Sequence, residues 1–362
     1  MKCYAPWHAL SIRFNGDVVP DCVYTGRHGN LLSQSLLEVL EHPGLLETQK
    51  QIKEGCLPNS CSQCSLKENT NGHSRRKFFE QVLNPLVKPE SKGKTDIYFL
   101  EFNMSNVCNL KCRMCSGVNS TAWIKEDLKL QNLGIARPIN HPDFGYKNIS
   151  EKIVDKLFEF PEYFKNLKYV NIKGGEPYME PANKKIMHKL INLGVARNCI
   201  LDISTNGTII DEEFDNLALQ FKETKWHVSM EGINSLYEYI RGGNNFTFKE
   251  FEHNLQTFSK FDRVILAGTV MAYNVCHLKE IEKWFNTIKQ QNFELYFSNV
   301  VTQPAYLNPS LLPNSILKDT DYVNNQHLSN QLPIFIKYTR ALDEIRKTNV
   351  LDVCPELEEL FT

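Results

Sequence analysis

The sequence predicts an α/β fold, a partial (β/α)6 barrel of parallel strands preceded by a small cysteine-rich module. Three observations predict it. From residue 97 onward, strand-like apolar runs alternate with helical patterns, the order of a parallel sheet with crossover helices. Polar and glycine-rich motifs stand directly after successive runs, and a barrel gathers its chemistry on the face where its strands end. Ahead of that rhythm, residues 1–65 hold five of the eleven cysteines.

The totals bound the function classes. At 362 residues, 42% hydrophobic and 11% aromatic, the chain can bury one large core and one or two small ones. Basic and acidic residues balance at 41 and 42, so no polyanion-binding surface follows and a nucleic-acid partner has no support. The N-terminal stretch from Met1 to Trp7 has no apolar core, and no run approaches a membrane span. A cytoplasmic chain without a membrane partner is expected. In that compartment eleven cysteines point to metal rather than to disulfides.

Residues 9–14 alternate apolar and polar, Asn15-Gly16 predicts a type I′ turn, and Val18-Val19 begins the return strand. This hairpin is expected to bring Cys3 and Cys22 toward each other. Helical spacing follows at Leu36, Val39 and Leu40, breaks at Pro43-Gly44, and resumes through Leu45, Leu46 and Ile52 to Gly55. Cys56, Cys61 and Cys64 come next. A hairpin pair plus a C-x2-C pair is a full set of four thiolates, for which zinc and [4Fe–4S] are nearly equal choices as chemistry. Residues 66–95 read as polar helix and then loop, with Arg75-Arg76-Lys77 as a solvated basic face and 88–95 as a linker.

The predicted barrel strands are 97–102, 169–172, 200–203, 226–230, 264–271 and 295–300. Leu278, Ile281, Trp284, Phe285 and Ile288 are spaced for one buried helical stripe. Between the first two strands, residues 134–148 form a Pro-, His- and Asp-rich insertion, expected as a loop on the active face.

After the first strand stand Cys108, Cys112 and Cys115, spaced C-x3-C-x2-C. A closed structural zinc site uses four protein ligands, and electron-transfer ferredoxins bind clusters through four cysteines. Three thiolates suit a [4Fe–4S] cluster with one iron left open; a zinc knuckle with a remote fourth ligand is the alternative. The second strand ends in Lys173-Gly174-Gly175-Glu176-Pro177, whose glycines let backbone approach a ligand closely. The third ends in Ser204-Thr205-Asn206-Gly207 and the fourth in Ser229-Met230-Glu231-Gly232, with Tyr239-Ile240-Arg241 downstream. Gly268 interrupts the fifth strand, and Cys276 lies just past it. Each has a plain reading: a helix cap for Ser204 and Asn206, a surface ion pair for Arg241, a bulge for Gly268, and an inert buried thiol for Cys276. Cys199, ahead of a strand, reads as core.

The cysteine triplet followed one strand later by Gly174-Gly175-Glu176-Pro177 resembles the signature of radical SAM enzymes. The resemblance implies a partial (β/α)6 radical SAM barrel. In it, Cys108, Cys112 and Cys115 hold a [4Fe–4S] cluster whose open iron binds S-adenosyl-L-methionine. It further implies that Gly174, Gly175, Glu176 and Pro177 hold the methionine amino group, and that Ser204 and Asn206 face the ribose or carboxylate. Ser229 and Glu231 form the fourth contact, with Glu where relatives often carry Asp. Arg241 would pair with the methionine carboxylate, and Gly268 would let the adenine approach. Met114 stands where relatives are usually aromatic and would pack on the adenine through its thioether. Cys276 becomes a candidate hydrogen-atom donor to a substrate radical.

The front residues Cys3-x-x-Pro6-Trp7, Asn15-Gly16, Pro20-Asp21-Cys22, Gly26 and Cys61-x-x-Cys64 are similar to the twitch or SPASM module of such enzymes. The module usually follows the barrel; here it precedes it, as in an N-terminal-twitch subgroup. By this resemblance Cys3, Cys22, Cys61 and Cys64 bind a second, auxiliary [4Fe–4S] cluster, with Cys56 as the spare. The implied domains are 1–70 for the module, 71–96 for a helix and linker, 97–302 for the core and 303–362 for a C-terminal extension, whose helix is expected over 338–346. Such an enzyme would take its electron from a flavodoxin- or ferredoxin-type protein. It would form a 5′-deoxyadenosyl radical that removes hydrogen from a small-molecule or peptide substrate, for oxidation, cross-linking or epimerisation. Because the chain opens directly on the module, a leader-peptide-binding domain is not expected, which favours a small molecule or a partner protein. The rival of another class is a non-catalytic zinc or iron–sulfur protein for binding or electron transfer.

Overall fold

Short runs of β-branched and aromatic residues set the architecture, because each presents alternate side chains to opposite faces of a sheet. The computed structural model describes residues 3–70, 74–85, 96–135, 149–242, 246–322 and 328–362. The expected linker at 88–95 and nearly all of the 134–148 insertion lie outside them. The chain divides into two units, residues 1–105, 145–203 and 211–224 in the first and 106–144, 204–210 and 225–362 in the second.

In the first unit the strands are β1 (Ala9–Arg13), β2 (Asp17–Val19), β3 (Gly29–Asn30), β4 (Phe99–Asn103), β5 (Tyr169–Lys173) and β6 (Ile200–Thr205, its first four residues here). Their order is β3-β2-β1-β4-β5-β6, antiparallel across β3-β2-β1 and parallel from β1 onward. The register stacks Ile12, Phe102, Ile172 and Ile203 in one row, all fully buried. The adjacent row, on the opposite face, is polar: Ser11, Glu101, Asn171 and Asp202. Glu101 is nonetheless fully buried and accepts from Ser11 Oγ at 2.7 Å. The cysteine-rich front thus shares a sheet with the parallel strands, since β1 pairs along its whole length with β4.

Two local expectations are corrected. The hairpin turn is not type I′. Gly16 donates its amide to Arg13 O at 2.8 Å, and Gly16, at φ +83°, is the turn's one left-handed residue. This is the three-residue loop with a glycine bulge; Asn15 instead uses its Oδ1 to accept from Asp17 N at 3.1 Å. Arg75 is not a solvated base. Its Nε pairs with Asp21 at 3.0 Å and its Nη2 with Glu101 at 2.9 Å, while the guanidinium lies over Phe78 and Phe79. Two carboxylates and a greasy floor outweigh hydration for a planar, weakly hydrated cation.

In the second unit β7 (Glu223–Ser229, from residue 225), β8 (Arg263–Val270) and β9 (Phe293–Val300) pair in parallel. Between β8 and β9 runs the helix Leu278–Ile288, which buries Ile281 and Phe285 and leaves the rest of the expected stripe half-buried. The C-terminal helix spans Leu332–Arg346, six residues longer at its start than 338–346, because Pro333 is tolerated in a first turn. Its Phe335, Tyr338 and Leu342 pack with Trp123, Tyr239 and Tyr273 in one core. Among the described residues no helix is long and apolar enough to cross a membrane.

Candidate functional site

The cysteine loop of the second unit is built by its backbone. Thr121 N donates to Asn106 O at 2.9 Å, closing the base. Lys111 N donates to Gly242 O at 2.6 Å and Arg113 N to Ile240 O at 2.8 Å, so alternate amides bond to the end of the helix Asn234–Arg241 and hold Cys112 between them. Trp123 Nε1 donates to Cys112 O at 2.9 Å. Cys112 is buried, while Cys108 and Cys115 are half-buried. The Cys112 thiol is hydrogen-bonded to Cys115; that bond pushes Cys112 up and Cys115 down, burial pushes both up, and the nearby Arg241 charge favours both thiolates.

Arg113, between two of the cysteines, is fully buried. Its Nε donates to Tyr239 O at 2.9 Å, its Nη2 to Asp343 at 2.6 Å, and its guanidinium lies 3.5 Å from the Tyr239 ring centroid. Tyr338 Oη donates to Arg113 O at 2.6 Å, and Arg346 Nη2 to Lys111 O at 2.6 Å. The C-terminal helix therefore clamps the loop. Sequence reasoning missed Tyr338, Asp343 and Arg346 in this role; the only signal was an unusual density of charge on an otherwise core-forming helix.

Arg241 and Glu231 are both buried and paired at 3.0 Å. Burial pushes the Glu231 carboxyl up, and the pairing with Arg241 opposes it. Arg241 Nε is a buried donor that no hydrogen bond satisfies among the described residues. Arg113 Nη1 and Arg346 Nη1 are also unsatisfied, but only Arg241 bears its charge on both Cys112 and Cys115 as a leading influence. A forked cation with one free N–H fits an incoming carboxylate. Three thiols beside a cation, with that donor unfilled, fit a metal cluster carrying an aminoacyl ligand.

Asn206 is tied into the cysteine loop. Its Nδ2 lies 3.6 Å from Cys108 Sγ and donates to Asn109 Oδ1 at 2.9 Å, while its Oδ1 accepts from Thr208 N at 2.9 Å. Ser204 and Ser229 are half-buried at their strand ends, and Met114 packs against the second unit's core. Gly268 sits at a shift in the β8–β9 register, where an added Cβ would come within 2.2 Å of Phe297 and 2.5 Å of Met230 O. The fold itself requires glycine there. The half-buried Cys276 has its sulfur 3.8 Å from Ile316 O, and burial pushes its thiol up to about 12. Cys199 and Cys354 are buried and donate to Leu167 O and Tyr273 O, each at 3.1 Å.

In the first unit, Gly174 has φ +140°, and a Cβ there would meet Ser105 O at 2.6 Å. Gly175 N donates to Ser105 O at 2.8 Å. Glu176 is buried and accepts from Tyr178 N at 3.3 Å, while Asn183 Nδ2 donates to Pro177 O at 2.9 Å. The turn after β5 is thereby held against the end of β4.

The front thiols divide unequally. Cys3, Cys61 and Cys64 line one small cavity together with Asp21, Tyr24 and Arg76. Burial pushes Cys3 up to about 12 and Cys61 up to about 11. Cys22 is absent from that lining; its sulfur neighbours Glu101, Asp21, Lys173 and Arg75. Cys56 is exposed. Three soft donors on one cavity fit an iron–sulfur cluster or zinc.

A model of the Radical SAM superfamily matches residues 102–285, and a model of an iron–sulfur cluster-binding domain, SPASM, matches residues 3–65. Among solved structures, anSMEcpe with bound AdoMet is 17% identical, with 69% of this chain and 61% of that chain covered and a TM-score of 0.41. Streptococcus suis SuiB bound to S-adenosylmethionine is 15% identical, with 88% and 66% covered and a TM-score of 0.39. The same protein bound to its precursor peptide SuiA is 14% identical, with 88% and 65% covered and a TM-score of 0.38. The chain thus spans about three fifths to two thirds of the length of these structures. No curated protein matches it.

Proposed function

The chain belongs to the radical SAM superfamily, and from this we propose that it cleaves S-adenosylmethionine reductively and modifies a small molecule or peptide. Its cofactors are a [4Fe–4S] cluster and S-adenosylmethionine, with an auxiliary iron–sulfur cluster in the front domain. Together the cluster and S-adenosylmethionine supply one-electron cleavage to methionine and a 5′-deoxyadenosyl radical, which takes hydrogen from a substrate carbon.

The protein's own part is to hold and to shield. Cys108, Cys112 and Cys115 are the proposed ligands, with Asn206 donating toward the Cys108 sulfur. Arg241, steadied by Glu231, takes the methionine carboxylate through its unfilled Nε. Cys3, Cys22, Cys61 and Cys64 are the proposed ligands of the auxiliary cluster, three of them lining one cavity. A flavodoxin- or ferredoxin-type protein is the proposed electron source.

The single observation that carries the reading is the clustering of three loop thiols beside a buried arginine with one donor unused. The test is incubation of anaerobically purified protein with S-adenosylmethionine and dithionite. Formation of 5′-deoxyadenosine is expected, and it should vanish in Cys112→Ala. S-adenosylhomocysteine alone would indicate methyl transfer instead. Colourless protein containing zinc and no iron would return the molecule to the non-catalytic class.

A further inference from the structure

We propose a third metal site, remote in sequence from both cysteine loops, in which His277, Cys354 and Glu356 bind one divalent cation of the zinc class. All three residues belong to the second unit. A ring nitrogen of His277, the Cys354 sulfur and a Glu356 oxygen lie within 4.8 Å of one another. Donors at about 2.0–2.3 Å from one tetrahedral ion stand roughly 3.3–3.8 Å apart, so small side-chain adjustments let these three share an ion. His277 Nε2 and Glu356 Oε1 are already 2.9 Å apart.

Each donor is placed by backbone. His277 is the capping residue of the helix Leu278–Ile288, and its carbonyl accepts from Ile281 N at 3.0 Å. Cys354 caps the short helix Pro355–Leu357, and its amide donates to Val350 O at 2.8 Å. The two caps meet where Cys354 Sγ reaches Tyr273 O at 3.1 Å. The other ring nitrogen, His277 Nδ1, is 3.3 Å from Glu280 Oε2. A carboxylate behind a ligating histidine fixes the tautomer that turns the remaining nitrogen to the metal. A protonated His277 would also gather two carboxylates. A fully buried thiol adds nothing to such an ion pair, yet it is a preferred ligand of zinc.

A thiolate, a carboxylate and a neutral imidazole carry two negative charges, which a divalent cation cancels where uncompensated charge is costly. Sulfur and nitrogen donors suit zinc and not calcium or magnesium, which take oxygen. Cys276 is not in the group; its sulfur lies 3.8 Å from Ile316 O. The His277 and Glu356 side chains are 16% and 26% exposed, so water can take the fourth position.

The experiment uses full-length protein with its iron–sulfur clusters intact and zinc as the probe. Zinc and iron per chain are counted after equilibration with buffered zinc, and zinc K-edge absorption reads the ligands. About one zinc is expected beside about eight irons, with a single sulfur at about 2.3 Å and lighter donors at about 2.0–2.2 Å. Glu356→Gln should weaken zinc binding about tenfold or more, and Glu280→Gln about tenfold to a hundredfold. Cys354→Ser should remove the sulfur from the zinc spectrum. Absence of zinc in cluster-loaded protein, a shell of three or four sulfurs, or unchanged affinity in Glu356→Gln overturns the site.

Discussion

Arg113 Nη2 donates to Asp343 Oδ1 at 2.6 Å across 230 residues of sequence, tying the loop that carries Cys112 to the C-terminal helix. The guanidinium is fully buried, and Asp343 also accepts from Val350 N at 2.8 Å. Breaking a buried pair by removing one partner costs far more than the pair contributes, because the remaining charge is stranded.

Asp343→Ala should therefore destabilise the protein by about 3–5 kcal/mol. The midpoint of chemical unfolding checks this. Iron retained by the Cys108–Cys115 loop should fall in the same variant, since Arg113 would no longer hold its backbone. If the iron stays while stability drops, the clamp is structural only.

Removing the unused donor of Arg241 should weaken S-adenosylmethionine binding. A charge-assisted hydrogen bond contributes about 1.5–3 kcal/mol, a change of roughly tenfold to a hundredfold in Kd. The double variant Arg241→Met with Glu231→Gln removes both charges together and avoids a stranded carboxylate. Equilibrium binding to iron-loaded protein is the measurement; unchanged affinity would remove Arg241 from the binding site.

Gly268→Ala tests whether packing or the adenine demands glycine. The new Cβ would meet Met230 O, a backbone atom, at 2.5 Å. Overpacking of this kind costs about 1–3 kcal/mol, and the loss should appear in thermal unfolding of protein without S-adenosylmethionine. Stability equal to the parent would point back to the ligand.

Acid should weaken the front of the first unit through His28. The ring is buried, its Nε2 lies 2.6 Å from Tyr24 Oη, and burial, reinforced by His42, lowers its pKa from 6.5 to about 4. The unfolded chain takes up the proton first, so stability falls as pH drops from about 6.5 toward about 4 and is unaffected above that window. His28→Gln should flatten unfolding midpoints across this range.

The strands from β4 to β9 and the motifs that follow them were legible in the sequence, because period-2 burial, glycine turns and C-x3-C-x2-C spacing are all local patterns. The hairpin was legible too, but not its turn: Asn15-Gly16 permits a two-residue loop, and pairing of Ile12 with Val18 leaves room for three residues before β2. Arg75 read as solvent-facing because its attractors, Asp21 and Glu101, lie 54 and 26 residues away. The contacts of Asn206 with Asn109 and Cys108 were not legible, because nothing local reveals that these residues will meet.

What the chain's order of residues determined alone is the family, the class of fold and which thiols belong to which loop. Only the tertiary structure decided which charges are buried and against what: Arg113 on Asp343, Arg241 on Glu231, and Arg75 on Asp21 and Glu101. The reason is physical. Backbone preferences act over a few neighbours, whereas the cost of burying a charge is set by partners that arrive from distant parts of the chain.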